Sequence, residues 1–321
     1  MKAAIVETYG SPEVLELRDI DVPVIGATDV LIQVHASAVT QGDRRLRSAD
    51  FPGITYIPGL LAMGISGPRN RPGTVFAGRV TQVGDAVSRF AVGDDVFGIA
   101  MNGGALAEYL AMPQDSVIAK MPADFGYEEA AAVPYGAGTA LEFLADLGKV
   151  QPGERILIVG ASGGVGRYAV QIAKHLGAEV TGVASRRSFA MLRDLGADHA
   201  IDYAAEDFTQ NGKTYDVIFD TSGSMSFREV YGSLTPTGRY LTLAGELQVL
   251  IPMLITSLTG GRRALFSVAL GGPENMDSLR DLMEKGVISP VIDTRFPLEQ
   301  IVQAHTHLEN RKAHGSVVVT F

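Results

Sequence analysis

A glycine-rich segment in the middle of the chain limits the fold more than any other feature. Residues 155–159 form a short, mostly apolar run, typical of a strand buried on both faces, and Gly160 to Gly166 (GASGGVG) follow it directly. Beyond Gly166, apolar residues recur at the spacing of one helix face and stop at Gly177. This strand, turn and helix predict a βα unit of an α/β fold.

The same alternation continues along the chain and predicts a parallel sheet. We expect strands at residues 155–159, 179–184, 200–201, 216–220, 239–244 and 264–269, with helices at 188–195 and 227–234 among the connections. Parallel strands joined by helices need right-handed crossovers, which cover both faces of the sheet. The middle of the chain is therefore predicted to be a doubly wound nucleotide-binding domain.

The spacing of the glycine-rich segment matches the fingerprint of a dinucleotide-binding turn. Its three small-residue positions allow the tight turn, the approach of the backbone to a pyrophosphate and the helix–strand contact. The N–H groups at the start of the helix favour the negative charge of the pyrophosphate. We predict that the cofactor is bound by Ala161, Ser162, Gly163, Gly164, Val165 and Gly166. A purely structural glycine turn is the alternative.

The second strand of this domain ends in Ser185, Arg186 and Arg187, with no acidic residue in reach. An NAD enzyme places a carboxylate there, on the ribose 2′-hydroxyl, and a carboxylate would repel a 2′-phosphate. Serine and arginine instead supply donors and compensating charge. The sequence therefore predicts NADPH rather than NADH. The alternative is that the two arginines lie on the solvated start of a helix.

The first third of the chain has the pattern of a small β-barrel. Short alternating or apolar runs at 14–20, 30–39, 76–83, 95–100 and 106–112 are separated by glycine-rich turns. Residues 51–72 interrupt the pattern with Gly and Pro at short intervals, which predicts a long surface loop over a site. The last third predicts helices at 276–285 and 298–309 and strands at 291–296 and 315–321. We expect this tail to return to the first domain, because the parallel sheet is already complete.

Composition excludes several classes of protein. The 321 residues include no cysteine, which excludes disulfides, thiolate nucleophiles, Cys-ligated zinc and iron–sulfur clusters. The 27 basic and 36 acidic residues give a net charge of −9, which disfavours nucleic acid and anionic membranes as partners. The apolar stretch 247–258 is too short to span a membrane and is predicted to be a buried or interface helix. Since no signal-like segment opens the sequence, we expect a cytoplasmic protein.

Several motifs in a fixed order give the chain a resemblance that covers almost all of it. Besides the glycine-rich turn, they include FAGRV at 76–80, EAAAVP at 129–134, GTAL at 138–141 and LGAD at 195–198. By these motifs the chain resembles the medium-chain dehydrogenase/reductase superfamily, in its zinc-independent, quinone-oxidoreductase-like branch. The resemblance implies a GroES-like β-barrel catalytic domain from residues 1–122 and 271–321, and a Rossmann NADPH-binding domain, a doubly wound parallel sheet, from residues 123–270. The active site would lie in the cleft between them.

The resemblance also implies roles for individual residues. Thr139 would lie near the nicotinamide, Ser185 and Arg187 near the 2′-phosphate, and Tyr203 beside the phosphate of the adenosine ribose. The backbone that would line the nicotinamide pocket is that of Leu243, Ala244, Gly245, Leu270 and Gly271. Family members are commonly homodimers through the last Rossmann strand, here 264–269. The alternative is that this strand is only a sheet edge.

The residues that bind zinc in the zinc-dependent branch are absent. Thr40 stands where that branch has its first cysteine, and residues 73–76 offer no ligand at the second position. The six histidines show no clustered metal spacing except His305 and His307, which do not share a helix face. We therefore expect no metal.

Polar residues beside the missing zinc position are the candidates for chemistry. Relatives often have Asn at Thr40 and Tyr at Arg45, so the groups that orient a carbonyl differ in this chain. Thr40 is the candidate catalytic residue, as a weak proton donor. We interpret Asp43 as a helix cap or a brace of the barrel.

An acceptor with a low barrier to hydride addition fits a site without a metal, because no Lewis acid is present to generate an alkoxide. The sequence predicts an NADPH-dependent oxidoreductase that reduces a small-molecule quinone or α,β-unsaturated carbonyl. One alternative is an enoyl-thioester reductase, for which Tyr56 is the only candidate donor. Another is a non-catalytic NADPH-binding sensor or scaffold.

Overall fold

Two large sheets form the structure. The computed structural model describes residues 1–51, 56–65, 67–69, 71–245, 247–269, 271–310 and 315–321. The strands of the first part are β1 (Lys2–Ile5), β2 (Glu16–Asp19), β3 (Asp29–Val39), β4 (Val75–Val83), β5 (Asp95–Ile99), β6 (Tyr109–Pro113) and β7 (Ile118–Lys120). Two helices lie between β3 and β4, namely α1 (Gln41–Ser48) and α2 (Tyr56–Met63).

Helices and strands alternate through the middle of the chain. In order they are α3 (Tyr127–Ala132), α4 (Pro134–Leu141), β8 (Arg155–Val159), α5 (Gly166–His175), β9 (Glu179–Ala184), α6 (Phe189–Asp194), β10 (His199–Asp202), β11 (Tyr215–Asp220), α7 (Phe227–Val230), β12 (Leu234–Thr242), α8 (Leu247–Thr259) and β13 (Arg263–Phe266). The tail adds α9 (Pro273–Glu284), β14 (Ile292–Pro297), α10 (Ile301–Glu309) and β15 (Ser316–Thr320). A π-helical turn, Glu142–Leu147, continues α4.

The six strands of the middle part form one parallel sheet, as predicted. Their spatial order is β10-β9-β8-β11-β12-β13, and each neighbouring pair is parallel. This is the strand order of a doubly wound dinucleotide-binding sheet, in which ligands bind at the carboxyl ends of the strands where the order reverses. The reversal lies between β8 and β11, and the glycine-rich turn follows β8.

The two ends of the chain share the other sheet. Its order is β14-β15-β3-β4-β5-β7, with β6 also paired to β3. β15 runs antiparallel to β3 and places Val317 opposite Val39. The tail of the chain therefore pairs with the sheet formed by the first part of the chain. Because Thr40 follows Val39 directly, the tail strand also holds the start of α1 in place.

A continuous apolar cluster joins the two sheets. Val318 on β15 and Phe97 on β5 belong to the same cluster as Ala137 on α4 and Phe219 on β11. All four side chains are fully buried. The apolar surface removed from water at this junction stabilises the placement of one sheet against the other, which positions the two walls of the cleft.

Two local predictions were wrong. The predicted loop at 51–72 contains helix α2, because Pro58 falls in the first turn, where its missing N–H costs no hydrogen bond. Residues 52–55, 66 and 70 of that segment lie outside the described residues. The predicted helix at 227–234 ends at Val230, and a 3-10 turn leads into β12, which begins earlier than expected.

No helix in the described ranges combines the length and the apolar character needed to cross a membrane. The predicted helix at 247–258 is present as α8, with Pro252 inside it. Ile251, Leu254 and Leu258 of α8 are more than half exposed.

The contact between β8 and α5 leads to a test of the glycine fingerprint. A Cβ atom at Gly166 would lie 2.2 Å from the carbonyl oxygen of Gly160 and 2.7 Å from the Cα atom of Ala161, both backbone atoms. We expect Gly166→Ala to lower the free energy of unfolding by about 1–3 kcal/mol, because strand and helix must separate. Gly232→Ala is the control, since a Cβ there meets no atom within 4 Å. Equal stability of the two variants in denaturant titrations would contradict the packing argument.

Candidate active site

The glycine-rich turn at the carboxyl end of β8 is held firmly by the backbone. The N–H groups of Gly160 and Ala161 both donate to the carbonyl oxygen of Val183 on β9, each at 3.1 Å. Gly160 has φ +74°, a left-handed conformation that favours glycine. The N–H of Gly163 donates back to the oxygen of Gly160 at 2.9 Å. The chain can therefore turn sharply from strand to helix.

This turn presents free hydrogen-bond donors to the surface. Gly163 and Gly164 are exposed, and a Cβ on Gly164 would meet nothing within 4 Å. The N–H groups of Ser162, Gly164 and Val165 donate to no group within the described part of the chain. Free donors at the start of the ten-residue helix α5 form an anion site with the helix dipole. The turn therefore fits the pyrophosphate of a dinucleotide.

Helix α4 packs directly against this turn. A Cβ on Gly136 would lie 2.3 Å from the carbonyl oxygen of Gly164, so no side chain separates helix from turn. Thr139 lies on α4, partly buried, and its hydroxyl donates to the carbonyl oxygen of Tyr135 at 2.7 Å. The structure thus brings the residue predicted to lie near the nicotinamide close to the predicted pyrophosphate site.

Ser185, Arg186, Arg187 and Tyr203 lie at the carboxyl ends of β9 and β10. Ser185 follows β9, and a 3-10 turn, Arg186–Ser188, comes next. Both arginines are exposed, and neither makes an ion pair with any described residue. Tyr203 follows β10, with 67 % of its surface exposed, and its N–H donates to the oxygen of Ala184 at 3.4 Å. Two free cations and an exposed aromatic ring therefore lie at neighbouring strand ends.

Leu243, Ala244 and Gly245 follow β12 and extend the same edge of the sheet. The N–H of Leu243 donates to the oxygen of Asp220 at 3.3 Å, and that of Ala244 to the hydroxyl of Thr242 at 3.1 Å. A Cβ on Gly245 would lie 2.6 Å from the Phe266 ring, which keeps the backbone close to β13. Leu270, also predicted for this pocket, lies outside the described residues.

Asp220 shapes the neighbouring loop and was missed by the sequence reasoning. It is fully buried at the end of β11. Its carboxylate accepts hydrogen bonds from the N–H groups of Ser222, Gly223 and Met225 at 3.0, 2.9 and 2.8 Å. The Thr221 hydroxyl donates to the oxygen of Val159 at 2.8 Å, so the loop is tied to the strand before the glycine-rich turn. An acidic residue ending an apolar strand, before Thr-Ser-Gly-Ser, was the signal for it.

Thr40, Asp43 and Thr74 form a buried polar group beside the sheet of the first part of the chain. We call this side of the cleft the barrel wall. Thr40 caps α1: its hydroxyl donates to the Asp43 carboxylate at 2.6 Å, and the N–H of Asp43 donates back to the Thr40 hydroxyl at 3.2 Å. The Thr74 hydroxyl donates to the same carboxylate oxygen of Asp43 at 3.1 Å. Burial raises the pKa of Asp43, and the hydrogen bonds from Thr40 and Thr74 counteract it. Asp43 thus takes the capping position that we assigned to it, and the Thr40 hydroxyl is bonded to it.

A second hydroxyl borders this wall and was also missed. Tyr135 is the second residue of α4, and a Cβ on Gly42 would lie 3.0 Å from its ring and 3.2 Å from the Thr40 hydroxyl. Burial raises the pKa of the Tyr135 phenol. Its position, four residues before Thr139 on a helix, was the only sequence signal for it. Tyr56, the alternative donor, lies on α2 with 48 % of its surface exposed.

The donor groups on this wall do not fit zinc. They are two threonine hydroxyls and one carboxylate, whereas zinc in proteins prefers cysteine, histidine and carboxylate ligands. Among the described residues, no group of three or more His, Asp or Glu side chains lies close enough to hold a metal ion. His305 is fully buried, and burial lowers its pKa to about 3. The ring of His307 is bonded instead to Asp293 at 2.6 Å.

Two known protein families match separate parts of the chain. Residues 26–123 match the alcohol dehydrogenase GroES-like domain, and residues 195–319 match a domain described as zinc-binding dehydrogenase. The zinc in that description has no matching ligand set on the wall formed by Thr40, Asp43 and Thr74.

Individual relatives cover nearly the whole chain. A 2-methylene-furan-3-one reductase of Solanum lycopersicum is 32 % identical over 99 % of this chain and 79 % of its own length. An NADPH-dependent alkenal/one oxidoreductase of Arabidopsis thaliana, a chloroplastic protein, shows the same identity and coverage. The structure of a quinone oxidoreductase from Coxiella burnetii matches with a TM-score of 0.87 and 28 % identity, over 100 % of this chain and 99 % of that one. The chain therefore belongs to the medium-chain dehydrogenase/reductase superfamily, in its zinc-independent, quinone-oxidoreductase-like branch, and is an oxidoreductase of the kind that binds a nicotinamide cofactor.

Proposed function

We propose that this protein uses NADPH to reduce an α,β-unsaturated carbonyl compound or a quinone. One observation carries the proposal: α4 lies directly on the glycine-rich turn, so free backbone donors for a pyrophosphate stand beside the hydroxyl-bearing side chains of the cleft. The names of the relatives support the acceptor class. The tomato protein is a 2-methylene-furan-3-one reductase, the Arabidopsis protein acts on alkenals and alkenones, and the Coxiella protein is a quinone oxidoreductase.

The proposed cofactor site uses the residues at the carboxyl edge of the parallel sheet. Within the turn residues 161–166, the free N–H groups of Ser162, Gly164 and Val165 would hold the pyrophosphate, as free N–H groups at a helix start favour anions. Ser185, Arg186, Arg187 and Tyr203 would hold the adenosine end, and the exposed arginines would pair with the 2′-phosphate. Thr139 and the backbone of Leu243, Ala244 and Gly245 would border the nicotinamide. NADPH, when bound, supplies the hydride.

A conjugated acceptor suits the hydroxyl groups on the opposite wall. Conjugation already spreads the charge that develops as hydride adds, so the protein needs to orient the substrate, exclude water and polarise one oxygen. Hydrogen-bond donors aimed at that oxygen can do this, since they stabilise charge where it develops. The buried polar group of Thr40, Asp43 and Thr74 supports this wall. The role of Thr40 as a proton donor stays a prediction, because its hydroxyl donates to Asp43.

We also propose a homodimer and two domains with the predicted bounds. β13 is an edge strand of the parallel sheet, and α8 beside it exposes Ile251, Leu254, Ile255 and Leu258. A row of unpaired backbone groups next to exposed apolar side chains suits association with a second copy. We assign residues 1–122 and 271–321 to the barrel domain and 123–270 to the cofactor domain. A cytoplasmic location stays a prediction, since the Arabidopsis relative is chloroplastic.

The cofactor preference can be tested by reversing charge at the strand end. We expect Arg186→Asp or Arg187→Asp to weaken NADPH binding about tenfold to a hundredfold, because a charged hydrogen bond contributes about 1.5–3 kcal/mol. NADH binding is expected to change little. Lys213→Asp is the control, an exposed charge reversal in the loop before β11. The measurement is the dissociation constant of each variant for NADPH and for NADH. An unchanged preference for NADPH in both arginine variants would refute the proposal that these arginines bind the 2′-phosphate.

The reaction can be tested with a panel of acceptors under NADPH. Cyclohexenone and benzoquinone are expected to be reduced, and saturated aldehydes to be inert, because only the conjugated acceptors delocalise the added electron pair. NADPH carrying deuterium at the transferred position is expected to label the β-carbon of the cyclohexanone product. Turnover of simple aldehydes alone, and only with added metal, would refute the proposal. Preference for enoyl thioesters would favour an enoyl-thioester reductase, and NADPH binding without any turnover would favour a sensor or scaffold.

A further inference from the structure

The phenol of Tyr135 has no hydrogen-bond partner among the described residues. Its side chain is partly buried between α4 and α1. Tyrosine hydroxyls in such surroundings usually find a partner, because an unpaired polar group removed from water is costly. Two buried tyrosines, Tyr168 and Tyr240, do so, donating to the carbonyl oxygens of Ala132 and Met225, whereas the hydroxyl of the buried Tyr215 has no partner among the described residues. The Tyr135 hydroxyl is therefore free to bond a molecule that enters the cleft.

Tyr135 stands between the two walls of the cleft. A methyl group built on Gly42 would lie 3.0 Å from the Tyr135 ring and 3.2 Å from the Thr40 hydroxyl, so both groups border the same small gap. Thr139 lies four residues further along α4, on the same helix face. Tyr135 therefore lies near Thr40 on the barrel wall and one helical turn from Thr139, the residue proposed to border the nicotinamide.

The surroundings keep this phenol protonated and ready to donate. Burial is the larger cause of its raised pKa, and the negative charge of Asp43 acts in the same direction. The positive charge of Arg45 acts in the opposite direction and would stabilise a phenolate. Arg45 makes no ion pair with any described residue. Asp43 and Arg45, both on α1, are the charged groups that act on Tyr135 in the described part of the chain.

We propose that Tyr135 is the catalytic residue that binds the carbonyl oxygen of the substrate and gives it a proton. The inference rests on the proposed reduction of a conjugated carbonyl. As the hydride and its electron pair reach the β-carbon, the carbon–carbon double bond shifts and the carbonyl oxygen becomes an enol oxygen. The O–H bond of Tyr135 breaks while the O–H bond of the enol forms. Water returns a proton to the phenolate, whose negative charge is stabilised meanwhile by the positive charge of Arg45, and the enol tautomerises to the saturated ketone.

The test compares Tyr135→Phe with a matched control, Tyr231→Phe. Tyr231 is 47 % exposed, and its hydroxyl also lacks a partner among the described residues, so each change removes one free hydroxyl. We expect Tyr135→Phe to lower kcat for cyclohexenone by about 10²-fold or more, the usual contribution of a general acid. The alkaline fall of kcat/KM, caused by ionisation of the phenol, is expected to disappear. The NADPH dissociation constant and Tm are expected to match those of the wild type.

A binding measurement separates this inference from the proposed function. Cyclohexanone is titrated into the NADP⁺ complex of each protein, and Tyr135→Phe is expected to lose affinity about two- to tenfold, the value of one neutral hydrogen bond. If the wild type reduces no enone or quinone but binds cyclohexanone through Tyr135, the proposed function fails and carbonyl recognition by Tyr135 stands. If Tyr135→Phe keeps the wild-type affinity, or if the wild type binds no ketone, the inference is overturned. An equal loss in Tyr231→Phe also overturns it.

Discussion

The close backbone contact between Gly136 on α4 and Gly164 in the glycine-rich turn is the constraint on which the rest of the site depends. A side chain at position 136 would meet the Gly164 oxygen at 2.3 Å, so the helix can approach the turn this closely only because residue 136 is glycine. This contact places α4, the helix that carries Tyr135 and Thr139, directly against the turn. One helix therefore relates the anion site to the hydroxyl groups of the cleft. A shift of α4 by the width of a methyl group would move the hydroxyl groups of the cleft away from the anion site.

The barrel wall is positioned by pairing between distant parts of the chain. β15 places Val317 opposite Val39, and Val39 precedes Thr40, the N-cap of α1. The buried Arg167 on α5 donates to the Ser316 hydroxyl at 2.8 Å, so the tail strand is also tied to the helix that follows the glycine-rich turn. The tail strand β15 therefore contacts both walls, through β3 on one side and through α5 on the other.

The cofactor wall could be predicted from the sequence because its determinants are local. A buried strand, a glycine turn and an amphipathic helix follow each other within a few residues, and Arg186 and Arg187 mark the next strand end. The barrel wall could be predicted only in part. The capping role of Asp43 depends on Thr40, three residues away, whereas Tyr135 meets Gly42 only in the folded chain. Helix α2 was read as a loop because a proline usually breaks a helix, although the first turn of a helix tolerates it.

The hydroxyl groups of the cleft differ in whether their hydrogens are already used in hydrogen bonds within the protein. Each hydroxyl has one hydrogen to give, and an ionised carboxylate can only accept. Thr40 and Thr74 both donate to one oxygen of Asp43, at 2.6 and 3.1 Å, so their hydrogens are already engaged. Tyr135 has its hydrogen and no acceptor among the described residues. A substrate carbonyl oxygen is an acceptor that needs a donor. Asp43 thus organises the barrel wall by accepting the hydrogen bonds of both threonines. Tyr135 on α4 is left as the hydroxyl that can donate to the carbonyl oxygen of the substrate.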